Sequence, residues 1–439
     1  MAGVTPPLGF YLKASLEANP DFRYSPMNSP PRSIAPSDHS KLSPLLLLLI
    51  ALACFPACGG KILRETAASP SSPAGSAPPT VPMWLGNASR SFYGTGPWSN
   101  EPLQVVWKFE TKLISGRLHK DPWGGTSWPG QPSVDGRYVY FGSADGHVYC
   151  LDVRDGSLAW SYATGDSLKA TPTLVGDRII ASGLDHYIYC LNRKDGSLIW
   201  KFKTGFEVDC SSAVVDGRVY FGSEDGSFYC LNLEDGSLIY KTERLGSMEG
   251  SFAAVDGRAY IGTEQGDLFC LDMSNGSTIW RARTGADSDS TPAVANGFVY
   301  TAAENGVVYC FRQSNGELVW KYQATGGTTK DRAGIWASPI VANNRVYIGS
   351  SNAHMHALAA DTGELVWKQR VRGPVWGTAP LVDGRLVFGD KAGWLYMLSA
   401  EDGSLISELK IGDNVNSTPA ILGGRIYIGA FNGNLYCLK

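Results

Sequence analysis

The sequence predicts an all-β protein: an eight-bladed β-propeller whose last blade is completed by a strand from the N-terminal side of the repeats. Three observations lead to this prediction. A 40-residue repeat occurs eight times, each repeat holds short strand patterns separated by turn residues, and the final repeat lacks its fourth strand. Four short strands in about forty residues make one propeller blade. Frequent glycine and aromatic residues agree with short strands joined by tight turns.

The repeat is clearest in the middle of the chain, where five copies align without a gap. In each copy a segment such as RVYFGS is followed by one such as SFYCLN and then by one such as SLIWKF, with Gly, Asp and Asn between them. Alternating residues bounded by turn formers predict strands. The eight copies lie at residues 136–160, 177–200, 217–240, 257–280, 297–320, 344–367, 384–407 and 424–439.

The last copy stops at Lys439 after its third strand, so its fourth strand must come from another part of the chain. Segment 103–111, LQVVWKFET, has the pattern of a fourth strand and carries Trp107 at the position of the recurring tryptophans. We expect this segment to close the ring, because closure removes the exposed sheet edges of an open array. A ring closed in this way needs no second copy to cover its edges, so we expect a monomer.

A tryptophan follows the turn glycine of most repeats by four residues, as in Gly156 to Trp160. A large flat side chain here is expected to pack between neighbouring sheets, which adds about 0.5 to 1.5 kcal/mol beyond area burial. Tyr240 keeps an aromatic ring at this position, whereas Ser407 loses it. The sequence therefore predicts a weaker seam beside the blade that contains Ser407.

Residues 1–58 have the pattern of an export leader. The apolar run Leu45 to Ala53 ends at small residues and cysteines, and at ~14 residues the apolar stretch is shorter than the ~20 of a spanning helix. The segments that end at Cys54 (ALAC) and Cys58 (FPAC) resemble the lipobox of bacterial lipoproteins. We therefore expect lipidation at Cys58 or Cys54, with simple cleavage of a signal peptide as the alternative.

The leader is followed by a segment of different composition. Residues 59–83 are poor in large apolar residues and rich in Ala, Ser and Pro, which predicts a disordered tether, and residues 84–439 remain for the propeller. A net charge of −3 with 18% charged residues is too balanced for a nucleic-acid surface or a polybasic membrane footprint. We expect no nucleic-acid partner, and membrane contact through a lipid anchor only.

The stretch AADTGELVW (359–367) and its relatives at 151–160 and 191–200 resemble the tryptophan-docking motif of the PQQ-type propellers. This resemblance covers residues 84–439 and implies the quinoprotein type of eight-bladed fold. The family includes the quinoprotein alcohol and glucose dehydrogenases and BamB, a lipoprotein of outer-membrane β-barrel assembly, so it does not decide the function. A BamB-like role implies an outer-membrane lipoprotein, facing the periplasm or the cell surface, with the assembly machinery as partner.

The enzymes of this family imply PQQ, a calcium ion held by carboxylates and amides, and often an adjacent cysteine pair. This sequence has no two consecutive cysteines, no CxxCH haem motif and no GxSxG motif, and His354 and His356 lack a third ligand. The motifs therefore do not support PQQ or calcium. Six cysteines that recur at one position in different blades are expected to be buried free thiols, because facing sheets are too far apart for a disulfide.

The blades differ most where each fourth strand leads to the next inner strand. Aligned on the recurring proline, one ring position holds Trp128 and Trp376, and the next holds a basic residue, three acidic residues and a tryptophan: Lys169, Asp209, Glu249, Asp289 and Trp336. These side chains predict a binding funnel that attracts a cation or a basic peptide and offers aromatic anchors. The alternative is that the carboxylates are solvated turn residues and the tryptophans fill a wide channel.

A second acidic set lies in the turns between second and third strands, where DG, QG and NG turn chemistry accounts for it. Its members are Asp145, Asp185, Asp225, Glu264 and Glu304. From all these observations we expect a non-catalytic envelope lipoprotein that acts as a protein-binding scaffold, with outer-membrane β-barrel protein assembly as its more specific role. The alternatives are a PQQ- or cation-dependent oxidoreductase and a surface propeller that binds a small molecule or a glycan.

Overall fold

The computed structural model describes residues 80–114, 126, 130–325 and 334–439. These residues form eight four-stranded antiparallel sheets, and a short 3-10 helix, Trp84–Gly86, precedes the first strand. The sequence prediction of an eight-bladed β-propeller is therefore confirmed. The leader, the tether up to residue 79 and Trp128 lie outside the described residues. No helix within the described part of the chain is long and apolar enough to cross a membrane.

Blades 1 to 7 each consist of four strands that follow one another in the sequence, from the innermost strand to the outermost. Blades 1 to 4 comprise β2 (Ser133–Val134), β3 (Tyr138–Gly142), β4 (His147–Asp152), β5 (Leu158–Ala163); β6 (Thr173–Val175), β7 (Arg178–Ser182), β8 (Tyr187–Asn192), β9 (Leu198–Lys203); β10 (Ala213–Val215), β11 (Arg218–Gly222), β12 (Phe228–Asn232), β13 (Leu238–Lys241); and β14 (Ala253–Val255), β15 (Arg258–Gly262), β16 (Asp267–Asp272), β17 (Thr278–Arg283).

Blades 5 to 8 repeat this arrangement, except that the outermost strand of blade 8 is β1 (Val105–Glu110). They comprise β18 (Ala293–Ala295), β19 (Phe298–Ala302), β20 (Val307–Arg312), β21 (Leu318–Gln323); β22 (Ile340–Ala342), β23 (Arg345–Ser350), β24 (His354–Ala359), β25 (Leu365–Arg370); β26 (Leu381–Val382), β27 (Arg385–Gly389), β28 (Trp394–Ser399), β29 (Leu405–Lys410); and β30 (Ala420–Leu422), β31 (Arg425–Gly429), β32 (Asn434–Leu438).

The ring closes as the sequence predicts. Strand β1 pairs antiparallel with β32, and Trp107 lies opposite Cys437. Each of the two middle strands of a blade is buried on both faces because a neighbouring sheet packs on each side, whereas the fourth strand has an exposed edge and alternates in burial. The predicted free thiols are confirmed for the recurring cysteines: Cys150, Cys190, Cys230, Cys270, Cys310 and Cys437 are buried and unbridged.

The recurring aromatic residue joins each blade to the next. The indole nitrogen of Trp200 donates a hydrogen bond of 2.9 Å to the Leu233 carbonyl of the following blade. Its ring lies against Gly236, where an added Cβ would come within 2.6 Å of the ring, and the positive φ of +71° also favours glycine there. The same donor and acceptor positions recur at Trp107, Trp160, Tyr240, Trp280, Trp320 and Trp367.

The seam between blades 7 and 8 lacks this aromatic residue, and residues 103–104, which lead into β1, occupy it. The amide of Leu103 donates to the Ser407 hydroxyl at 3.2 Å, and Gln104 exchanges two main-chain hydrogen bonds with Lys439. A tryptophan at 407 would compete with this chain for the space between blades 7 and 8. The small residue that the sequence marks as a weakness therefore lets the chain reach the position of β1.

Residues 81–98, here called the plug segment, cover one end of the central channel. The Pro82 carbonyl accepts a hydrogen bond from Leu174 in blade 2, whereas Leu85 packs with buried residues of blades 6 and 7, so the segment crosses the channel. Arg90 is 1% exposed and donates to the carbonyls of Ser211 and Phe252 in blades 3 and 4. Burial lowers the pKa of Arg90 to about 10.

We expect Trp200→Ala to lower the free energy of unfolding by about 3 to 5 kcal/mol, because it leaves a cavity at a buried seam. Ile199→Ala is the control, since Ile199 precedes it on the same strand with 41% exposure; its change should stay below about 1 kcal/mol. Urea denaturation followed by circular dichroism measures both. Equal midpoints for the two variants would contradict the role of the seam.

Candidate functional site

A belt of hydrogen bonds joins the inner ends of most neighbouring blades. In each bond the main-chain amide of one blade donates to a side-chain hydroxyl of the next, as from Thr171 to Ser211 at 3.0 Å. The same bond occurs from Gln131 to Thr171, Ser211 to Ser251, Thr291 to Ser338, Ser338 to Thr378 and Thr378 to Thr418. These belt residues show which positions of different blades lie at the same level of the channel.

The residues two positions before the belt form the first ring of the channel. Its described members are Lys169, Asp209, Glu249, Asp289, Trp336, Trp376 and Asn416. Alignment on the recurring proline places Trp376 one ring position earlier, and this is wrong. Pro380 follows its belt residue, Thr378, by two positions, whereas the corresponding prolines follow theirs by one. The position assigned to Trp376 is taken by Val375, which is fully buried. Trp336 and Trp376 are therefore neighbours at one level.

A second ring lies beside the first. Its residues follow the second strands, and their amides donate to carbonyls two positions before the first ring, as from Glu224 to Glu207 and from Glu304 to Asp287. The described members of the second ring are Leu184, Glu224, Glu264, Glu304, Ser351, Lys391 and Phe431. Turn chemistry therefore does not account fully for Glu264 and Glu304, which the sequence alone leaves in a set of turn acids.

Blades 3, 4 and 5 bring eight carboxylates together, here called the acidic sector. They form three groups in which one oxygen of each member lies within 4.8 Å of the others: Glu207, Asp209 and Glu224; Glu224, Glu249 and Glu264; and Asp287, Asp289 and Glu304. Asp209 is 1% exposed and Asp289 is 6% exposed, so these two are not solvated turn residues. Sequence reasoning missed Glu207, Glu224 and Asp287. The available signal was the 40-residue period, which relates Glu207 and Asp287 to Ser247 and relates Glu224 to Glu264.

Lys169 is the cation of the first ring, and its ammonium is paired with Oδ2 of Asp209. Burial opposes the charge of Lys169, but the carboxylates of Asp209 and Glu249 raise its pKa above the ordinary value. The other oxygen of Asp209, Oδ1, is buried without a hydrogen-bond partner. One lysine therefore leaves much of the acidic sector without a counter-charge among the described residues.

The crowding of carboxylates shifts their titration. Burial and the neighbouring Asp209 raise the pKa of Glu249 to about 8, and burial with the same neighbour raises the pKa of Glu224 to about 8. Burial, Glu249 and Asp287 hold the pKa of Asp289 well above its usual range. The sector thus resists full ionisation and favours a positively charged ligand.

Trp336 and Trp376, here called the aromatic pair, follow the acidic sector directly around the first ring. Their ring centroids are 4.5 Å apart, and the indole nitrogen of Trp376 donates to the Ser351 hydroxyl at 3.0 Å. The Lys391 ammonium lies 3.4 Å from the centroid of the Trp376 ring, a cation–π contact. Both tryptophans are half-buried, so each retains some accessible surface. Trp128, the third predicted aromatic residue, lies outside the described residues.

Turn chemistry does account for the other members of the second acidic set. Asp145, Asp185 and Asp225 each accept a hydrogen bond from the tyrosine four residues later in the chain, as from Tyr149 to Asp145 at 2.8 Å. Asp185 and Asp225 also accept main-chain amides of a neighbouring turn, those of Gly165 and Gly205. These carboxylates hold turns between strands.

The sequence matches the profile of one propeller family, described as the β-propeller of the beta-alanine-activating enzyme, over residues 174–439, which is more than half of the chain. The chain belongs to this family. A comparison with curated proteins gave no match. Membership in the beta-alanine-activating-enzyme propeller family agrees with the repeat and with the four-stranded blades.

Solved structures show the same fold as this family member at low sequence identity. BamB from Moraxella catarrhalis is 18% identical with a TM-score of 0.61, over 77% of this chain and 97% of that one. Quinohemoprotein alcohol dehydrogenase from Comamonas testosteroni is 13% identical with a TM-score of 0.68, over 83% and 81% of the two chains. The computationally designed Ika8 protein is 14% identical with a TM-score of 0.63, over 76% and 99%.

The resemblance to quinoproteins raises two groups, calcium and PQQ, whose fit to the described site residues can be tested. Calcium takes oxygen ligands, and the acidic sector provides buried carboxylates in groups of three together with the unpartnered Oδ1 of Asp209, so the donor set fits. The quinone PQQ is itself a polycarboxylate. The described rings oppose it with six carboxylates and two lysines, Lys169 and Lys391, so these residues do not fit an anionic quinone.

The raised pKa of Glu249 predicts that stability falls as pH rises. Glutamate in an unfolded chain titrates near 4.3, whereas Glu249 in the folded protein titrates near 8. Between these values the folded state keeps a proton that the unfolded state has lost, so this stabilising contribution is complete below about pH 4.3 and decreases up to about pH 8.

We therefore expect Glu249→Gln to raise the Tm at pH 8 by about 2 to 4 °C, the shift that 1 kcal/mol produces, with a smaller effect at pH 5. Thermal denaturation followed by circular dichroism at both pH values measures it. Glu364→Gln, at an exposed turn position, is the control and should leave the Tm unchanged. A Glu249→Gln variant that melts like the wild type at pH 8 would contradict the argument.

Proposed function

We propose that the protein is a non-catalytic binding scaffold of the bacterial envelope, and that its funnel receives a basic segment of a protein partner. The observation that carries this proposal is the position of the acidic sector directly beside the aromatic pair in one ring. A basic side chain next to an apolar one matches this arrangement. Carboxylates supply charge complementarity, and partly exposed tryptophans are common anchors of protein interfaces.

Contacts within the ring support this proposal. Lys169 pairs with Asp209, and Lys391 lies against Trp376, so both halves of the site hold an ammonium from the chain itself. Asp287 and Asp289 lie between them, next to Trp336, and no lysine or arginine among the described residues forms an ion pair with either. A partner lysine or arginine can occupy this place and reach the indole of Trp336.

We further propose that the protein is a lipoprotein anchored at Cys58 or Cys54, with residues 59–83 as its tether and residues 84–439 as the propeller. The plug segment supports a defined orientation, because Val81 and Pro82 join the inner strands at the end of the channel away from the first ring. The chain thus enters the propeller at the plugged end. An anchor upstream of this point leaves the acidic end accessible to a partner.

The role in outer-membrane β-barrel assembly is the more specific part of the proposal. The likeness to BamB extends over nearly the whole of that protein, although at 18% identity it is a likeness of fold. The proposed partner is therefore the assembly machinery of the outer membrane, in a protein that faces the periplasm or the cell surface. A PQQ-dependent oxidoreductase is less favoured, because the described rings are acidic where an anionic quinone would lie.

Affinity capture from crosslinked envelopes tests the scaffold. We expect the full-length wild-type lipoprotein to retain components of the assembly machinery. The Trp336→Ala/Trp376→Ala and Asp287→Asn/Asp289→Asn variants should each lose about tenfold or more of this capture, the effect of removing an interface hot spot. Capture should also weaken with rising salt.

Trp394→Ala is the matched control, because Trp394 is half-buried on the third strand of blade 7, against Arg372 and outside the first ring. It should capture the partner as the wild type does. Undiminished capture by both double variants would place the interface elsewhere on the propeller. Consistent failure of the wild type to retain any protein would contradict the scaffold itself.

The anchor makes a separate prediction. Cells grown with a radiolabelled fatty acid should incorporate label into the wild-type protein, and Cys58→Ser or Cys54→Ser should abolish the incorporation, whichever of the two is the acceptor. The other substitution serves as the control and should leave labelling unchanged. A wild-type protein that carries no label, and whose mature N-terminus follows Ala53, would show simple cleavage instead.

A further inference from the structure

A small cavity lies at the seam between blades 7 and 8, where no aromatic residue joins the two sheets. It has a volume of about 210 Å³ and is lined by residues 98–103 together with residues of blades 7 and 8. Leu103 and Met397 form a buried apolar part of the lining, and Ile406 adds an aliphatic side chain that is 45% exposed. The cavity therefore offers an apolar wall that solvent can reach.

Arg385, the first residue of β27, also lines this cavity. In blades 2, 6 and 8 the arginine at the same strand position donates from Nη1 to a main-chain carbonyl of the following blade, as from Arg345 to Ala400 at 2.9 Å. The other two bonds run from Arg178 to Leu233 and from Arg425 to Val153. In each case the same carbonyl accepts the indole hydrogen of the seam tryptophan.

Arg385 lacks such a carbonyl. The acceptor belongs to the turn between the third and fourth strands of the next blade, but the fourth strand of blade 8 is β1, so no such turn follows β32. Nη1 of Arg385 donates instead to the thioether sulfur of Met397 at 3.4 Å, a weak acceptor, and the guanidinium lies 5.6 Å from the centroid of the Trp98 ring. No carboxylate among the described residues forms an ion pair with Arg385. A half-buried guanidinium thus keeps donors without acceptors at the wall of a cavity.

We propose that this cavity binds a small carboxylate with an apolar body, whose acid group contacts Arg385 and whose apolar part contacts Leu103 and Met397. The fork of a guanidinium matches a carboxylate in geometry and charge, and such hydrogen bonds are about twice as strong as neutral ones. The Ser407 hydroxyl accepts the amide of Leu103, so its own hydrogen remains as a further donor. The volume lies below the roughly 300 Å³ of the smallest drug-sized pockets, which favours a compact ligand over a peptide.

Two neighbours of Arg385 in the lining have opposite effects on such a ligand. Trp98 donates its indole hydrogen to the Val382 carbonyl at 2.9 Å, so the ring against which the guanidinium lies is held in place. Glu101 is exposed, lines the same cavity and repels a carboxylate. Removing the charge of Glu101 should therefore tighten binding, whereas removing the charge of Arg385 should weaken it.

This inference is independent of partner binding at the aromatic pair. The cavity lies between blades 7 and 8 and includes Ile406 and Ser407 of an outermost strand, whereas the proposed basic segment contacts the first ring in blades 5 to 7. Trp336→Ala/Trp376→Ala should therefore lose the partner and still bind the carboxylate as the wild type does. The two proposals can fail separately.

Calorimetric titration of sodium benzoate into the full-length protein tests the cavity, with benzyl alcohol as an uncharged probe of similar shape. We expect one saturable benzoate site in the wild type and at least about tenfold weaker binding of benzyl alcohol, because the charge-assisted hydrogen bonds are missing. Arg385→Gln should lose about tenfold or more of the benzoate affinity. Arg385→Lys keeps the charge without the fork, so its affinity should fall between the two. Glu101→Gln should bind benzoate more tightly than the wild type.

Arg345→Gln is the matched control, because Arg345 has the same strand position in blade 6 and already donates to the carbonyls of Ala400 and Glu401. It should bind benzoate as the wild type does. Circular dichroism checks that every variant is folded. The inference is overturned if the wild type and Glu101→Gln bind benzoate no better than benzyl alcohol, or if the benzoate affinity survives in folded Arg385→Gln.

Discussion

The arrangement of the site depends on the hydrogen-bond belt that joins the inner ends of the blades. Each belt bond connects a main-chain amide to the hydroxyl of the next blade, so it fixes how far neighbouring inner strands are shifted along the channel axis. A shift of one residue turns every side chain of a strand to its other face. The continuous acidic sector and the contact between Trp336 and Trp376 both require that this register is kept around the ring.

Stability and binding place opposite demands on the inner and outer parts of the blades. At the seams each aromatic ring is buried against a glycine and donates its polar hydrogen to a carbonyl, so packing and hydrogen bonding act together. In the acidic sector burial and the neighbouring carboxylate of Asp209 raise the pKa values of Glu224 and Glu249, so ionisation of these two groups is unfavourable there. The seams and blade cores offset this unfavourable contribution, so the fold tolerates the acidic sector.

The sequence could predict those features that repeat with the blade period. The eight blades, closure by the strand around Trp107 and the buried free cysteines follow from positions that recur at one spacing, and the structure confirms them. Asp209, Glu249 and Asp289 were found as candidates because they occupy one such position in three consecutive blades. Their burial could not be predicted, since residues distant in sequence enclose them.

Local departures from the regular repeat conceal several features of the site from sequence alignment. Trp376 was placed one position too early because the proline used for alignment is itself displaced by one residue, and only the belt bond to Thr378 shows this. Glu207 and Asp287 occupy one position of the blade period, but the blade between them carries Ser247 there, so the alignment shows no continuous acidic run at this position. The reason for Ser407 was also hidden, because the chain that contacts it lies more than 300 residues away in sequence.

Ring closure pairs the first strand of the propeller with its last. Strand β1 is among the first parts of the propeller to leave the ribosome, and its partner β32 is the last strand to do so. Until both are available, blade 8 lacks its outer strand and the seam to blade 1 lacks Trp107. Contacts between such distant segments form slowly because a long loop must close first. The nascent chain therefore exposes an unpaired sheet edge during synthesis, a period in which a chaperone has its best opportunity to bind.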